Sequence, residues 1–458
     1  MSLGSSLSIA VQAMLTDQGA LAITSNNISN VNTPGYTRQV ANLEEAPPAQ
    51  YGNLNFGGGV ALANIQSIRN NVLQLRLNQE TQAQAKLNTF TNGMDQIQTV
   101  FNEASGTGLQ SLLSNFFNSF QSLSVDPAND GDRQAVIGTA QSLAAGFQQS
   151  ATTLVQQQQN SDQGVVQTVQ QINQLTAQIA TLNGEITATA GAGLNTNSFE
   201  DQRAQLITQL SGLIDVRTIS ANGNTVTLTT NNGAELVVGN QSFDLQTGVN
   251  ASTSFHDVYA EGTDISSSIQ GGSLAGDIHL RDQEIPSLQN NLDTLAYSIE
   301  NAVNTQNAAG FDLNGNPGGN IFQPPTGVSG AALNMTVMLT DPNLIAASGD
   351  GTPGDNANAI ALADLQKQNI VSGQPPVAYY AALVSQIGND AATASSQLTG
   401  GTLLIQQLND QINSVSGVSL NEEGANLIQY QNAYAAASRV ATVVASLYQT
   451  VINMVPAS

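Results

Sequence analysis

Apolar positions recur every seven residues over long parts of this chain, most regularly at its two ends. Leu420, Leu427, Tyr434, Ala441, Tyr448 and Val455 step by seven, and Tyr430, Ala437, Val444 and Val451 stand three residues after four of them. This is a heptad seam along one predicted helix. Ser419 and Glu422 have the spacing of a capping box, in which hydroxyl and carboxylate each satisfy a backbone N–H at a helix start, so the helix is predicted to begin at Leu420. From there to Val455 only Glu422, Glu423 and Arg439 are charged. A helix of that length is about 50 Å long at 1.5 Å per residue, and its apolar stripe needs a partner. The beginning of the chain offers one: Leu7, Met14, Leu21 and Ile28 step by seven, with Leu3 and Ala10 four residues ahead of the first two. The two ends read as halves of one coiled coil. Because covering the seam must exceed the ordering entropy of both segments, they are expected to be disordered or loosely helical until assembly covers them.

The middle alternates between periods. Thr33-Pro34-Gly35-Tyr36 predicts a tight turn after the first helix, and residues 37–68, with Pro47-Pro48 and Gly57-Gly58-Gly59, read as loop with short extended pieces. Leu73, Leu77, Leu87, Phe90, Met94, Ile97 and Phe101 form a helical stripe that Gly106 and Gly108 interrupt. A second helix carries Leu109, Leu112, Leu113, Phe116, Phe117, Phe120 and Leu123 as core and stops at Asp126-Pro127. The longest predicted helix runs from about Asp132 to Thr187, with Val165, Ile172, Ile179 and Ile186 in strict heptads. Its candidate partners are the stretch with Leu206, Ile207, Leu210 and Leu213 and the stretch with Leu288, Leu292, Leu295, Ile299 and Val303. Between these, the period drops to two at 216–220, 225–229 and 235–238, around the hairpin signals Asn222-Gly223-Asn224 and Asn231-Asn232-Gly233. Met335 to Leu339 reads as a return to that β region, and two further helical stretches, 357–369 and 377–412, close the bundle before Gly417.

The expected fold is therefore mainly α, with an inserted small β domain. Residues 1–71 and 416–458 form a terminal coiled-coil domain, residues 72–215, 283–308 and 353–415 an elongated antiparallel helical bundle, and residues 216–282 and 309–352 a β-rich outer domain.

Composition narrows what such a chain can do. Charged residues are only 9% of it, so the polar surface is mostly Gln, Asn, Ser and Thr, which cost less to desolvate than ions when other subunits close over them. Ten Lys plus Arg against thirty-three Asp plus Glu give a net charge of −23, which repels phosphate backbones and anionic lipids. Nucleic acid is excluded as a partner. Membrane insertion is not expected either: the run from Val440 to Val455 is short for a span and contains Gln449 and Asn453. Cysteine is absent, so there is no disulfide framework and no thiolate site. No Lys or Arg precedes Arg38, so the positive region of a cleaved signal is lacking.

Candidate chemistry is sparse. Asp312-Leu313-Asn314-Gly315-Asn316 has the wrong glycine position and no closing acid for a calcium loop and reads as a turn. Asp126, Asp130 and Asp132 read as a solvated helix boundary. His256 and His279 have no companions at metal spacing, and Arg38 reads as a solvated loop cation. No catalytic, cofactor or metal site is expected.

The two ends also carry recognisable signatures. Asn26-Asn27-Ile28-Ser29-Asn30-Val31-Asn32-Thr33-Pro34-Gly35-Tyr36-Thr37-Arg38 resembles the motif after the first helix of rod, hook and hook-associated proteins of the bacterial flagellum. Leu420-Asn421-Glu422-Glu423-Gly424-Ala425-Asn426-Leu427-Ile428, with Tyr430-Gln431-Asn432-Ala433-Tyr434, is similar to their C-terminal motif. The run from Leu109 to Phe147, Leu182-Asn183-Gly184-Glu185-Ile186 and Asp201-Gln202-Arg203 resemble the hook-associated protein 1 branch. That resemblance implies a structural subunit at the junction of hook and filament. The implied partners are copies of itself, the hook protein, the second junction protein and an export chaperone on the C-terminal helix. The implied location is extracellular, reached through the flagellar type III apparatus. The assembly interface would comprise Leu3, Leu7, Met14, Leu21 and Ile28 with Leu420, Leu427, Tyr430, Tyr434, Ala437, Ala441, Val444, Tyr448 and Val451. The rival readings are a hook or distal-rod subunit, disfavoured by the long helices from 72 to 214, a secreted adhesin using the β insert, and a cell-wall hydrolase.

Overall fold

The computed structural model describes residues 3–51, 54–101, 108–220 and 224–454. Val455 of the seam, Gly106 and the Asn222-Gly223 half of one hairpin signal lie outside the described residues. The chain begins with α1 (Leu3–Ser29), followed by β1 (Gln39–Glu45), β2 (Ala49–Tyr51), β3 (Leu54–Phe56) and β4 (Val60–Ser67). The helices α2 (Asn71–Val100), α3 (Leu109–Leu123), α4 (Asp130–Gly191) and α5 (Asn197–Ser211) come next. A β region holds β5 (Arg217–Ser220), β6 (Val226–Thr229), β7 (Glu235–Val238), β8 (Gln241–Ser242), β9 (Gln246–Val249), β10 (His256–Ala260) and β11 (Thr263–Asp264). The chain then returns to helix in α6 (Gly272–His279), α7 (Ile285–Ala308), α8 (Ala331–Asn334), α9 (Ala357–Asp364), α10 (Pro376–Ser416) and α11 (Leu420–Met454).

The scaffold is α4. Its 62 residues span about 93 Å and run through two separate cores. Asn129 caps its start, accepting from the Asp132 amide at 3.1 Å, and Asp130 and Asp132 lie in the first turn, where the helix dipole favours acids. The first half of α4, from Val136 to Leu154, packs with α3, α7 and α8, and α9 and the near half of α10 join the same core through α3 and α7. Phe116 centres that core, with Phe117, Phe120 and Phe322 around it at 5.2, 5.3 and 5.6 Å between ring centroids. The second half buries Val165, Ile172 and Ile179 in a different core with α5, α6 and the inner faces of β6, β7 and β10, and Ile186, further along, is also buried.

This arrangement corrects several expectations. The stretch with Leu288, Leu292, Leu295, Ile299 and Val303 meets the first half of α4, not its heptad half, and only the α5 stretch partners the heptads. The β strands do not build an outer core of their own. They are two to five residues long, in sheets ordered β5-β6-β7-β8 and β11-β10-β9, too short to bury enough side chains without a floor. Helix α4 supplies that floor. Residues 309–352 do not join the sheets at all: Ile321, Phe322, Met335, Leu339 and Ile345 pack into the phenylalanine core, and their pairing is limited to isolated bridges such as Phe322 with Val337. Residues 37–68 are more regular than loop: β1 pairs antiparallel with β4 from Gln39–Ser67 to Glu45–Val60. The 312–316 turn is as expected, with Asp312 Oδ1 accepting from the Asn314 and Asn316 amides at 2.8 Å each.

Candidate assembly interface

The β1–β4 hairpin is a floor for α1. Thr16 Oγ1 donates to the Val60 carbonyl at 3.0 Å, and a Cβ on Gly19 would stand 2.9 Å from Leu62, so that glycine permits the close approach. Along another face, α1 packs against α11. The chain leaves α1 through the predicted turn, in which the Tyr36 amide donates to the Thr33 carbonyl at 3.2 Å and Gly35 takes φ +77°. Asn27 holds the exit like a strand partner, its Nδ2 donating to the Gln39 carbonyl at 2.8 Å and its Oδ1 accepting from the Gln39 amide at 3.0 Å. The Tyr36 hydroxyl donates to the same oxygen at 2.8 Å. Burial and the nearby Asp201 and Glu423 push that phenol up to about 12, so it remains a donor.

Arg38 closes this joint. Its amide donates to the Ser416 carbonyl at 2.9 Å, its Nε to Glu423 Oε1 at 2.7 Å and its Nη1 to Glu422 Oε2 at 2.7 Å. It is thus no solvated loop cation: the Glu423 side chain is only 2% exposed and is held by this guanidinium. Glu422 is drawn to Arg38, so only half of the expected capping box is present, the Glu422 amide donating to Ser419 Oγ at 3.5 Å. Because Arg38 follows α1 and grips the start of α11, the two helices run antiparallel.

One step further in, the amide and hydroxyl of Thr37 donate to the two oxygens of Asp201 on α5. Arg69 donates to Asp201 at 2.9 Å, to Glu200 at 2.8 Å and to the Asn197 carbonyl at 2.8 Å. Burial pushes the Asp201 carboxyl up, against the hydrogen bonds from Thr37 and Arg69 that favour its charge. The first helix, the last helix and the bundle therefore meet in one polar joint. Sequence reasoning missed it, because its partners are as many as 385 residues apart; only the signature motif marked the place.

The predicted interface residues divide. Leu3, Leu7, Met14, Leu21 and Ile28 of α1 are half-buried, as are Leu427, Tyr430, Ala437 and Ala441 of α11, and Val444 is 6% exposed. Leu420, Tyr434, Tyr448 and Val451 are exposed. At 35 residues against 27, α11 outreaches α1 by about 12 Å, which leaves Tyr448 and Val451 beyond its cover. Both ends are helical and packed on each other in the single chain, with α1 also resting on the β1–β4 floor.

A second seam emerges that the first had masked. Val440, Leu447 and Met454 step by seven, with Val443 between, and all four are 46% to 76% exposed. It is centred about 70° around α11 from Val444. On α1, Val11 and Leu15 are likewise exposed. Within Pro376–Met454, which comprises the two helices α10 and α11, one 18-residue window is long and apolar enough for a span by length and composition alone. Among the described residues no group of three His, Asp or Glu could hold a metal ion. His256 Nδ1 lies 2.7 Å from Asp162 Oδ2, and His279 ends α6 against Phe90.

Paired terminal helices, a hairpin floor and a long helical bundle define a mainly helical subunit whose two chain ends are joined. Residues 7–37 match the family model of the flagella basal body rod protein, and residues 411–454 that of the flagellar basal body rod FlgEFG protein C-terminal region. Residues 94–322 match the flagellar hook-associated protein FlgK helical domain. Flagellar hook-associated protein 1 of Bacillus subtilis is 31% identical over 98% of this chain and 97% of its own, and that of Escherichia coli 28% over 97% and 98%. The fold is shared with the flagellar hook junction protein FlgK from Burkholderia pseudomallei, at TM-score 0.67 and 19% identity over 74% of this chain and all of that one. The chain belongs to the flagellar hook-associated protein 1 family, the structural subunits of the hook–filament junction.

Proposed function

We propose that this subunit builds the junction by using its two helical seams for different tasks. The seam centred on Val444 and Ala441 closes the two chain ends on each other, and the seam of Val440, Val443, Leu447 and Met454 docks on neighbouring copies. The exposed row on α11 carries this reading, since apolar residues repeating at heptad spacing on one face of a rod match the cover that a second helix supplies. Adhesin and hydrolase readings have no comparable feature in their favour.

The remaining partners follow from position in the axis: the hook protein on one side, the second junction protein on the other, and before export a chaperone covering α11. The subunit is non-enzymatic and acts outside the cell, delivered by the flagellar type III apparatus. Of the three expected domains, the terminal pair forms the inner tube and the bundle the next shell; the short sheets on α4 face outward. Electron microscopy of cells lacking residues 420–458 tests the proposal. Hooks without filaments, and flagellin in the medium, are expected; normal filaments would overturn it.

A further inference from the structure

A polar cleft of about 370 Å³ opens between α4, α7 and the loop that follows Phe322, lined by Gln148, Glu300, Gln323, Thr326, Asn334 and Thr336 among others. That volume falls in the range of small-ligand sites. Glu300 is 2% exposed, and its Oε2 has no hydrogen-bond partner. A buried carboxyl without a donor is costly, and burial together with Asp293 pushes it up to about 8. Asp293 cannot relieve it, being occupied by the Gly330 and Ala332 amides at 2.7 and 2.9 Å. No Lys, Arg or His lines the cleft. Empty, the site therefore holds a Glu300 carboxyl that keeps its proton near neutral pH for want of a counter-charge and releases it when a cation enters; it also has neutral oxygen acceptors and room, but no cation of its own.

We propose that this cleft receives a primary alkylammonium group, with the Glu300 carboxylate as its counter-charge and the neighbouring amide and hydroxyl oxygens as further acceptors. An ammonium has three donors and needs a single full charge opposite it. A divalent metal needs several oxygen ligands including more carboxylates, and no group of three acidic or imidazole side chains is gathered among the described residues. The group can arrive as a free amine or as a lysine side chain of another chain; both present the same chemistry to Glu300.

The test is a titration of the full chain at pH 7.5, read by amide chemical shifts of Gly327, Ser329 and Gly330. The probes are n-butylammonium chloride, N-acetyl-lysine methylamide and sodium chloride at equal ionic strength. Saturable shifts with either amine and none with sodium are expected. Tighter binding of the lysine derivative assigns the site to a protein side chain, and tighter or equal binding of butylammonium to a free amine. Glu300→Gln should weaken binding at least tenfold, and Thr326→Trp, which fills the exposed rim while leaving the carboxyl in place, should do the same. Shifts that sodium reproduces, that never saturate, or that survive in Glu300→Gln within twofold would overturn the proposal.

Discussion

The division of labour between the two seams of α11 can be tested with substitutions one residue apart. Val444 faces α1 and is 6% exposed, whereas Val443 and Leu447 are 57% and 46% exposed. Val444→Asp removes a buried side chain worth roughly 1.5–3 kcal/mol and puts a carboxylate in its place, so the melting temperature should fall and amide exchange in α1 and α11 should quicken. The double variant Val443→Asp/Leu447→Asp replaces side chains already half in water, so the stability of the monomer should stay within about 0.5 kcal/mol of the parent. In the polymer the account reverses. Covering the exposed half of each side chain contributes roughly half the full burial value, about 1.5–3 kcal/mol for the pair at each contact, before the added cost of desolvating two carboxylates. At 1.4 kcal/mol per tenfold, each contact weakens by roughly 10- to 140-fold. Thermal melts of the monomer, and sedimentation with electron microscopy of assemblies, separate the two effects. A double variant that melts and assembles like the parent would refute the second seam, and a Val444→Asp chain that melts like the parent would refute the first.

Three further outcomes follow from single side chains. Arg38→Ala leaves the buried Glu423 carboxylate without its partner and should cost about 3 kcal/mol, seen as faster amide exchange across residues 416–430. Burial and Asp293 push Glu300 up to about 8 in the folded chain from its ordinary value of 4.5, so the unfolded state releases its proton first; stability is unaffected below the unfolded value and declines as pH rises from about 4.5 to 8. Glu300→Gln should remove that decline, up to ~3 kcal/mol at pH 7, measurable as a flatter dependence of denaturation midpoint on pH. Gly272 has φ +79°, and a Cβ there would lie 2.2 Å from the Leu213 backbone carbon, so Gly272→Ala should lower stability by about 3 kcal/mol or more in urea melts.

What was legible in the sequence was what repeats. Val165, Ile172, Ile179 and Ile186 announce a buried seam because one helix face is apolar for about six turns, and the phenylalanines from Phe116 to Phe120 mark a core by size alone. The 33–36 turn was legible because Pro34 and Gly35 dictate their own backbone angles. Two kinds of feature were not. The extended stretch from Met335 to Leu339 carries a strand-like pattern but packs into the phenylalanine core, since period two records alternating exposure and not which element lies on the covered side. The second seam of α11 was hidden by the first, because on an apolar helix with few charges several faces satisfy the same spacing.

The arginines left no periodic trace at all, yet they hold the joints. Arg38 holds the start of α11 beside the exit of α1, and Arg69 grips α5 next to it. Arg203 ties α5 to Asn183 and the Asn224 carbonyl, each at 2.7 Å, and Arg281, 1% exposed, joins Asp162 and the His256 carbonyl. Arg133 reaches the carbonyls of Pro127 and Ile345 at 2.7 and 2.8 Å. Five of ten cations are thus spent between segments, where a planar fork of donors can satisfy several acceptors at fixed angles. Buried pairs of this kind add little net stability, so their value lies in geometry. For a rod-like subunit that geometry matters greatly: with α4 about 93 Å long, a 10° tilt at the joint displaces its far end by about 16 Å. Neighbouring seams would then miss each other while each monomer remained folded. Loss of Arg69 should accordingly show first as assemblies of irregular curvature, and only later as a lowered melting temperature.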